Sequence, residues 1–133
     1  MPELKAGLTG EVRTRVEGPL ITDRGGGVRV LSTPSLVMLL EQAAQRAIAP
    51  CLTPEQISVG SRVEVQHLAA TPAGHEVVAR ARLAQVDGRR LVFEVEADDP
   101  FEPIAAGMHE RYVLDADRYR QRLAKKQLAE PSA

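Results

Sequence analysis

The stretch Thr33-Pro34-Ser35-Leu36-Val37-Met38-Leu39-Leu40-Glu41-Gln42-Ala43-Ala44-Gln45-Arg46-Ala47-Ile48-Ala49-Pro50 decides the fold. Thr33 is a favourable N-cap residue, and Pro34 suits the first helical position, where its missing N–H costs nothing. Pro50 ends the segment. At about 100° per residue, Leu36, Leu40, Ala43, Ala44 and Ala47 share a broad apolar arc, with Val37 and Ile48 at its edge. Gln42, Gln45 and Arg46 lie opposite. The spacing predicts a helix over residues 33–50. Glu41 falls beside Val37 and Ile48, at the border of the apolar arc.

Downstream the hydrophobic period changes to two, the pattern of half-buried strands. Over residues 61–71, Val63, Val65, His67 and Ala69 share one face and Arg62, Glu64 and Gln66 the other. Over residues 76–86, Val77, Ala79, Ala81 and Leu83 oppose Arg80 and Arg82. Asp87-Gly88 signals a tight hairpin, beyond which Leu91, Phe93, Val95 and Ala97 continue the buried face. Thr71-Pro72-Ala73-Gly74 marks another reversal. Residues 103–114 form a further strand, and residues 115–129 a short, highly charged terminal helix. Gly25-Gly26-Gly27 is a loop, suited to a lid or entrance, because a phosphate cradle needs a strand–loop–helix setting and usually a lysine. One long helix followed by antiparallel strands defines an α+β class, a single domain over residues 1–133 with the helix lying across a curved sheet. So short a sheet leaves open edges, and pairing with a second subunit covers one.

The 133 residues fit one ordinary domain, with 17 basic and 18 acidic side chains for a net charge of −1. That balance offers no field to draw in phosphate backbones or anionic lipid. Aromatic residues are 3% and Trp is absent, which removes the usual stacking platforms for single-stranded nucleic acid. The longest strictly apolar run is Leu36–Leu40, far below the roughly 20 residues of a membrane span. Met1-Pro2-Glu3-Leu4-Lys5 has no apolar stretch for a signal-peptide core. Cys51 is the single cysteine, so no intrachain disulfide or cysteine metal cluster forms. The expectation is a cytoplasmic protein without nucleic-acid or membrane partners.

Three side chains carry candidate chemistry, each beside a plain structural alternative. His67 lies on the valine-lined face of its strand: a core histidine bonded to a carbonyl, or the imidazole whose ionisation lies near neutral pH. Glu41 is either an exposed helix-edge carboxylate or a partly desolvated base or nucleophile among apolar neighbours. The Thr33 hydroxyl caps the helix, while free N–H donors and the positive dipole end of that helix suit a developing oxyanion. Thr33 and Glu41, a little over two turns apart, can line one wall of a groove opposite the strand bearing His67. Together these groups describe acyl transfer. His67, His75 and His109 lack metal-ligand spacing, so no metal is expected. His75 follows Gly74 in a turn and is expected to face solvent. Ser58 and Ser61 lack a G-x-S-x-G setting.

At these residues the sequence resembles the hotdog-fold thioesterases of the group typified by fluoroacetyl-CoA thioesterase. The resemblance rests on Thr33 through Pro50 with the Thr33–Glu41 spacing, on His67-Leu68-Ala69-Ala70-Thr71-Pro72-Ala73-Gly74, and on Gly107-Met108-His109-Glu110-Arg111. It covers about residues 30–114. It implies a hotdog subunit in a homodimer or higher homo-oligomer, and hydrolysis of an acyl-CoA thioester with Thr33, Glu41 and His67 as catalytic residues. Glu41 then serves as nucleophile or as base for water. The resemblance also places Gly60 and Arg111 at the acyl end, where each has a structural alternative: a bulge or strand start for Gly60, a paired or solvated strand position for Arg111. Coenzyme A is part of substrate and product, so no bound cofactor is expected. Arg89 and Arg90 are candidates to meet its phosphates. The fluoroacetate-specialised enzyme has bulky aromatics in the lid before the helix, whereas Asp23-Arg24-Gly25-Gly26-Gly27-Val28 has none. The expected substrate is therefore a small or medium acyl-CoA. The alternative function is a non-catalytic acyl-CoA or small-ligand binding protein on the same fold. No motif of a hotdog dehydratase is present.

Overall fold

A computed structural model describes residues 2–132. The elements follow as β1 (Thr9–Arg15), β2 (Ile21–Asp23), β3 (Arg29–Leu31), α1 (Thr33–Ile48), β4 (Gln56–His67), β5 (Glu76–Asp87), β6 (Arg90–Asp98), β7 (Pro103–Asp115) and α2 (Ala116–Leu128). Five strands form one antiparallel sheet in the order β1-β5-β6-β7-β4. β2 and β3 make a separate small hairpin just before α1. The α+β class is as expected, with the long helix packed on the sheet.

α1 buries Leu36, Leu39, Leu40, Ala43, Ala44, Ala47 and Ile48 against sheet residues that include Val12, Val77, Ala79, Leu83, Leu91, Phe93 and Val95. Apolar burial of this kind, roughly 25 cal/mol per Å², holds the helix down. The approach is closest at β1. A Cβ at Gly10 would lie 2.1 Å from the Ala43 carbonyl oxygen and 2.5 Å from the Ala47 nitrogen. A strand residue without a side chain, facing a helix side made of alanines, lets the two backbones meet.

Several boundaries differ from the sequence expectation. Ser32, not Thr33, is the N-cap of α1: its Oγ accepts the Ser35 N–H at 3.2 Å. Thr33 is the first helical residue, and Pro50 falls in a 3₁₀ turn over Ala49–Cys51 after the helix ends at Ile48. The strand expected over 61–71 spans Gln56–His67, because a bulge between Gly60 and Arg62 breaks the alternation. Beyond His67 the chain leaves the sheet, and Leu68 donates its N–H to the Ile104 carbonyl at 2.8 Å. The hairpin turn sits one residue later than expected: Asp87 pairs with Arg90, leaving Gly88-Arg89 as the loop, with Gly88 at φ +60. β1 and the β2–β3 hairpin are additional elements. The glycine triplet is the tip of that hairpin, and the helix expected at 115–129 is α2, capped by Asp115.

β4 pairs only with β7 and so leaves a twelve-residue edge. Val63 points to the helix side of the sheet beside His109, yet is 42% exposed, since α1 does not reach out over this edge. Among the described residues no helix is long and apolar enough to cross a membrane.

Candidate active site

β4 runs alongside α1 so that its end meets the helix start. There the Thr33 hydroxyl and His67 Nδ1 lie 2.8 Å apart. Because Ser32 does the capping, the Thr33 hydroxyl is free for this contact. His67 Nε2 is buried and has no hydrogen-bond partner. A buried ring nitrogen without a partner is uncommon and calls for an explanation such as a ligand. The first turn supplies fewer donors than expected: Pro34 has no N–H, that of Ser35 goes to Ser32 Oγ, and that of Leu36 goes to the Ser32 carbonyl. Thr33 thus contributes the remaining N–H and the hydroxyl. Thr33 lines a cleft of about 480 Å³ with His67, Leu31, Ala69 and Ala70, and Arg24 and Val28 of the β2–β3 hairpin stand at its side. Leu68, on the same cleft, is 54% exposed.

Glu41 sits two turns further along α1 in a second cluster. Its Oε2 is 3.7 Å from Arg111 Nη1, and Arg111 is 3% exposed. The expectation of a carboxylate among apolar neighbours is therefore corrected: Glu41 is half-buried beside a buried cation. Arg111 is held on its other sides, Nε donating to Ser58 Oγ at 3.0 Å and Nη2 to the Ser58 carbonyl at 3.0 Å. Burial pulls the guanidinium below its ordinary pKa and Glu41 opposes that pull. Gly60 closes the cluster. A Cβ there would lie 3.0 Å from Glu41 Oε2, 3.3 Å from His109 Cε1 and 3.4 Å from Arg111 Nη1, so the absent side chain is what makes room for the carboxylate.

His109 belongs to this cluster, although sequence spacing assigned it no role. Its Nδ1 is 2.8 Å from the Arg62 carbonyl, which can only accept, so Nδ1 carries a proton. Arg111 Nη1, which can only donate, is 3.2 Å from Nε2, so Nε2 is the acceptor. The ring is thus a neutral imidazole in one tautomer, stacked near Phe93 with centroids 6.1 Å apart. Burial holds its pKa below the ordinary histidine value, Arg111 acting the same way and the Arg62 carbonyl, Glu41 and Glu110 acting against it. The signal in the sequence was the alternation of His109 and Arg111 on the inward face of β7.

Within one chain the structure joins Thr33 to His67 and Glu41 to Gly60 and Arg111, but brings no contact between Glu41 and His67. Arg90 ion-pairs with Glu110 on the outer face of the sheet, which removes it from the candidates for phosphate contact. His75 is half-buried against Phe101, their rings edge to face at 5.1 Å, rather than free in solvent.

A helix wrapped by this sheet, with a threonine–histidine pair at the helix start and a carboxylate two turns on, defines a hotdog thioesterase, a thioester hydrolase. The family model described as fluoroacetyl-CoA-specific thioesterase matches residues 18–117, and the chain belongs to that family. It is 40% identical over 97 residues to the fluoroacetyl-CoA thioesterase of Streptantibioticus cattleyicolor, covering 73% of this chain and 70% of the relative. A solved structure of the fluoroacetyl-CoA thioesterase FlK superposes with a TM-score of 0.86 at 31% identity, covering 94% of this chain and 98% of the other. A hot-dog-like protein from Thermanaerovibrio acidaminovorans superposes with a TM-score of 0.85 at 27% identity over 94% of each chain.

Proposed function

We propose that the protein hydrolyses a small or medium acyl-CoA thioester to the free acid and coenzyme A, using Thr33, Glu41 and His67. The observation that carries this is the Thr33 hydroxyl lying 2.8 Å from His67 Nδ1 at the edge of a cleft that both residues line, with the other ring nitrogen of His67 buried and without a partner. The thioester carbonyl lies at the start of α1, where the Thr33 hydroxyl and N–H stabilise the oxyanion. Glu41 takes the proton from an attacking water, or attacks the carbonyl carbon itself to form a mixed anhydride that water then hydrolyses to the free acid and the restored carboxylate. As the carbon–sulfur bond breaks, the His67 imidazole delivers a proton to the departing thiolate. Arg111, buried and held by Ser58 and His109, fixes where the Glu41 carboxylate lies. The lid residues facing the cleft are aliphatic or charged, which favours a plain acyl chain over a fluoroacetyl-sized group held by aromatic rings.

The same reading makes the protein a homodimer whose subunits pair along the open β4 edge. Antiparallel pairing about a two-fold axis near the middle of β4 brings the His67 end of one strand to the Gly60 end of the partner's, and residue 60 abuts the carboxylate of Glu41. Pairing in this register supplies the meeting of imidazole and carboxylate that a single chain lacks. It also covers the unpaired backbone of a long edge.

The test is CoA release from an acetyl-to-octanoyl CoA series, followed by thiol titration. Glu41→Gln and His67→Ala each lower turnover at least about a hundredfold, the scale of one acid–base group, with an unchanged circular dichroism spectrum. Near-normal turnover in either variant removes that residue from the mechanism. Micromolar binding of acyl-CoA with no turnover by the unmodified protein leaves only the non-catalytic binding function.

A further inference from the structure

The second site concerns arginines that the chemistry above does not use. On the outer face of the sheet, Arg13, Arg62, Arg80, Arg82 and Arg90 each lie within ion-pair distance of a carboxylate. Arg15 and Arg46 donate to the carbonyls of Gly74 and Glu11. Among the described residues, Arg24, Arg29, Arg89, Arg118 and Arg122 are the arginines whose side chains make neither an ion pair nor a hydrogen bond. Three of these five, Arg89, Arg118 and Arg122, converge on one groove of about 240 Å³ between the β5–β6 turn and α2.

Three guanidinium groups repel one another, and a fold that gathers them around a single carboxylate holds a site poised for an anion. The remaining walls are Leu114, the half-buried ring of Tyr119, and Asp115. Asp115 accepts the Arg118 N–H at 2.9 Å as the cap of α2, and three guanidinium groups against this one carboxylate leave the groove with a net positive charge. An aromatic ring beside several guanidinium groups suits a purine nucleotide, with the base on Tyr119 and Leu114 and the phosphates on the arginines. The groove also lies at a suitable distance. Asp115 is four residues along β7 from Arg111, so the groove stands about 13 Å, at the rise of a strand, from the Glu41–Arg111 cluster of its own chain, and an extended pantetheine arm spans that distance from a thioester attacked by this Glu41.

We propose that Arg89, Arg118 and Arg122, with Tyr119, form the subsite for the phosphorylated adenosine end of the coenzyme A substrate. This rests on the acyl-CoA hydrolysis proposed above and adds where the distal half of that substrate is held. Arg89 acts from the Gly88-Arg89 turn, and Arg118 and Arg122 act from successive turns of α2.

The experiment has one arm with activity and one without. In the first, kcat/KM is measured for an acyl-CoA and for the same acyl group on pantetheine, which lacks the phosphates and the nucleoside. The unmodified protein prefers the CoA thioester, and the triple variant Arg89→Ala/Arg118→Ala/Arg122→Ala loses at least about tenfold of that preference. In the second arm, calorimetry with adenosine 3′,5′-bisphosphate shows binding that weakens with added salt and disappears in the triple variant. Inorganic pyrophosphate tests whether phosphate alone suffices; binding as tight as that of the bisphosphate removes Tyr119 and the base from the site. An unchanged preference together with unchanged bisphosphate binding in the triple variant overturns the subsite while leaving the hydrolase function standing. Bisphosphate binding by a protein that hydrolyses no acyl-CoA overturns the hydrolase function while leaving a nucleotide site.

Discussion

Arg111 keeps its charge inside the fold because every N–H-bearing nitrogen of its guanidinium has an acceptor, two on Ser58 and one on His109. That arrangement requires His109 to be neutral, since an imidazolium would turn a proton toward Nη1. Unfolding exposes the ring and restores its ordinary pKa of about 6.5. Because the folded value is lower, the unfolded chain binds the extra proton first as the pH falls. Stability is therefore flat above about pH 6.5 and declines below it. Urea midpoints measured from pH 7.5 to 5 are expected to fall, and His109→Phe, which keeps a ring against Phe93, is expected to flatten the slope by up to one proton. An identical slope in the variant shows that His109 titrates alike in both states. At this scale the sequence was legible for the groups on regular faces. His67 points inward as its alternation required, whereas the inward position of Arg111 was one of two readings left open. The partners were not legible: that Ser32 would take the cap and free Thr33, or that Arg111 would lie against Glu41, depends on contacts between residues far apart in the chain.

Helix α1 could be read nearly residue by residue because its signals are local: a proline near the start, another after the end, and an apolar arc between. Its seat on β1 depends on one residue of another element. With the Ala43 carbonyl 2.1 Å from where a Gly10 Cβ would stand, Gly10→Ala must push the helix off the strand. Overpacking of this kind costs about 1–3 kcal/mol, which corresponds to a fall of several degrees in Tm. Differential scanning calorimetry checks it, and an unchanged Tm means that helix and strand separate more easily than their packing suggests. β4 was misplaced for a physical reason as well. A bulge resets the two-residue alternation, so a single phase fits only the part after Ser61, and the half before it stays hidden. β1 alternates in the same plain way, with Val12 buried between exposed neighbours, but seven residues of a mixed polar stretch carry too little apolar signal to stand out.

For the molecule as a whole, the open edge of β4 and the separation of the two clusters make one prediction together. Glu41→Gln and His67→Ala homodimers, each inactive, are mixed, unfolded and refolded so that subunits exchange. If a site draws its carboxylate and its imidazole from different chains, half of the sites in each mixed dimer are intact. Random pairing then restores about a quarter of the unmodified activity. If both groups act within one chain, no mixed dimer has a complete site and activity stays at the level of the variants. Sedimentation velocity on the unmodified protein gives the independent check, a dimer being expected. The expectation of a dimer came from sheet edges alone; proposing β4 as the edge that pairs needed the strand order.

The glycine tip of the β2–β3 hairpin restricts how this enzyme's selectivity can be altered by substitution. Gly25, Gly26 and Gly27 all have φ between +59 and +83, a region where a side chain strains the backbone, although each has open space around it. A bulky ring introduced at any of the three must bend the loop before it can act as a gate. Arg24 and Val28, which flank the triplet and already face the cleft, have no such backbone penalty. Remodelling toward an aromatic-lidded enzyme therefore has two doorposts to work with, and the arch between them tolerates little but glycine.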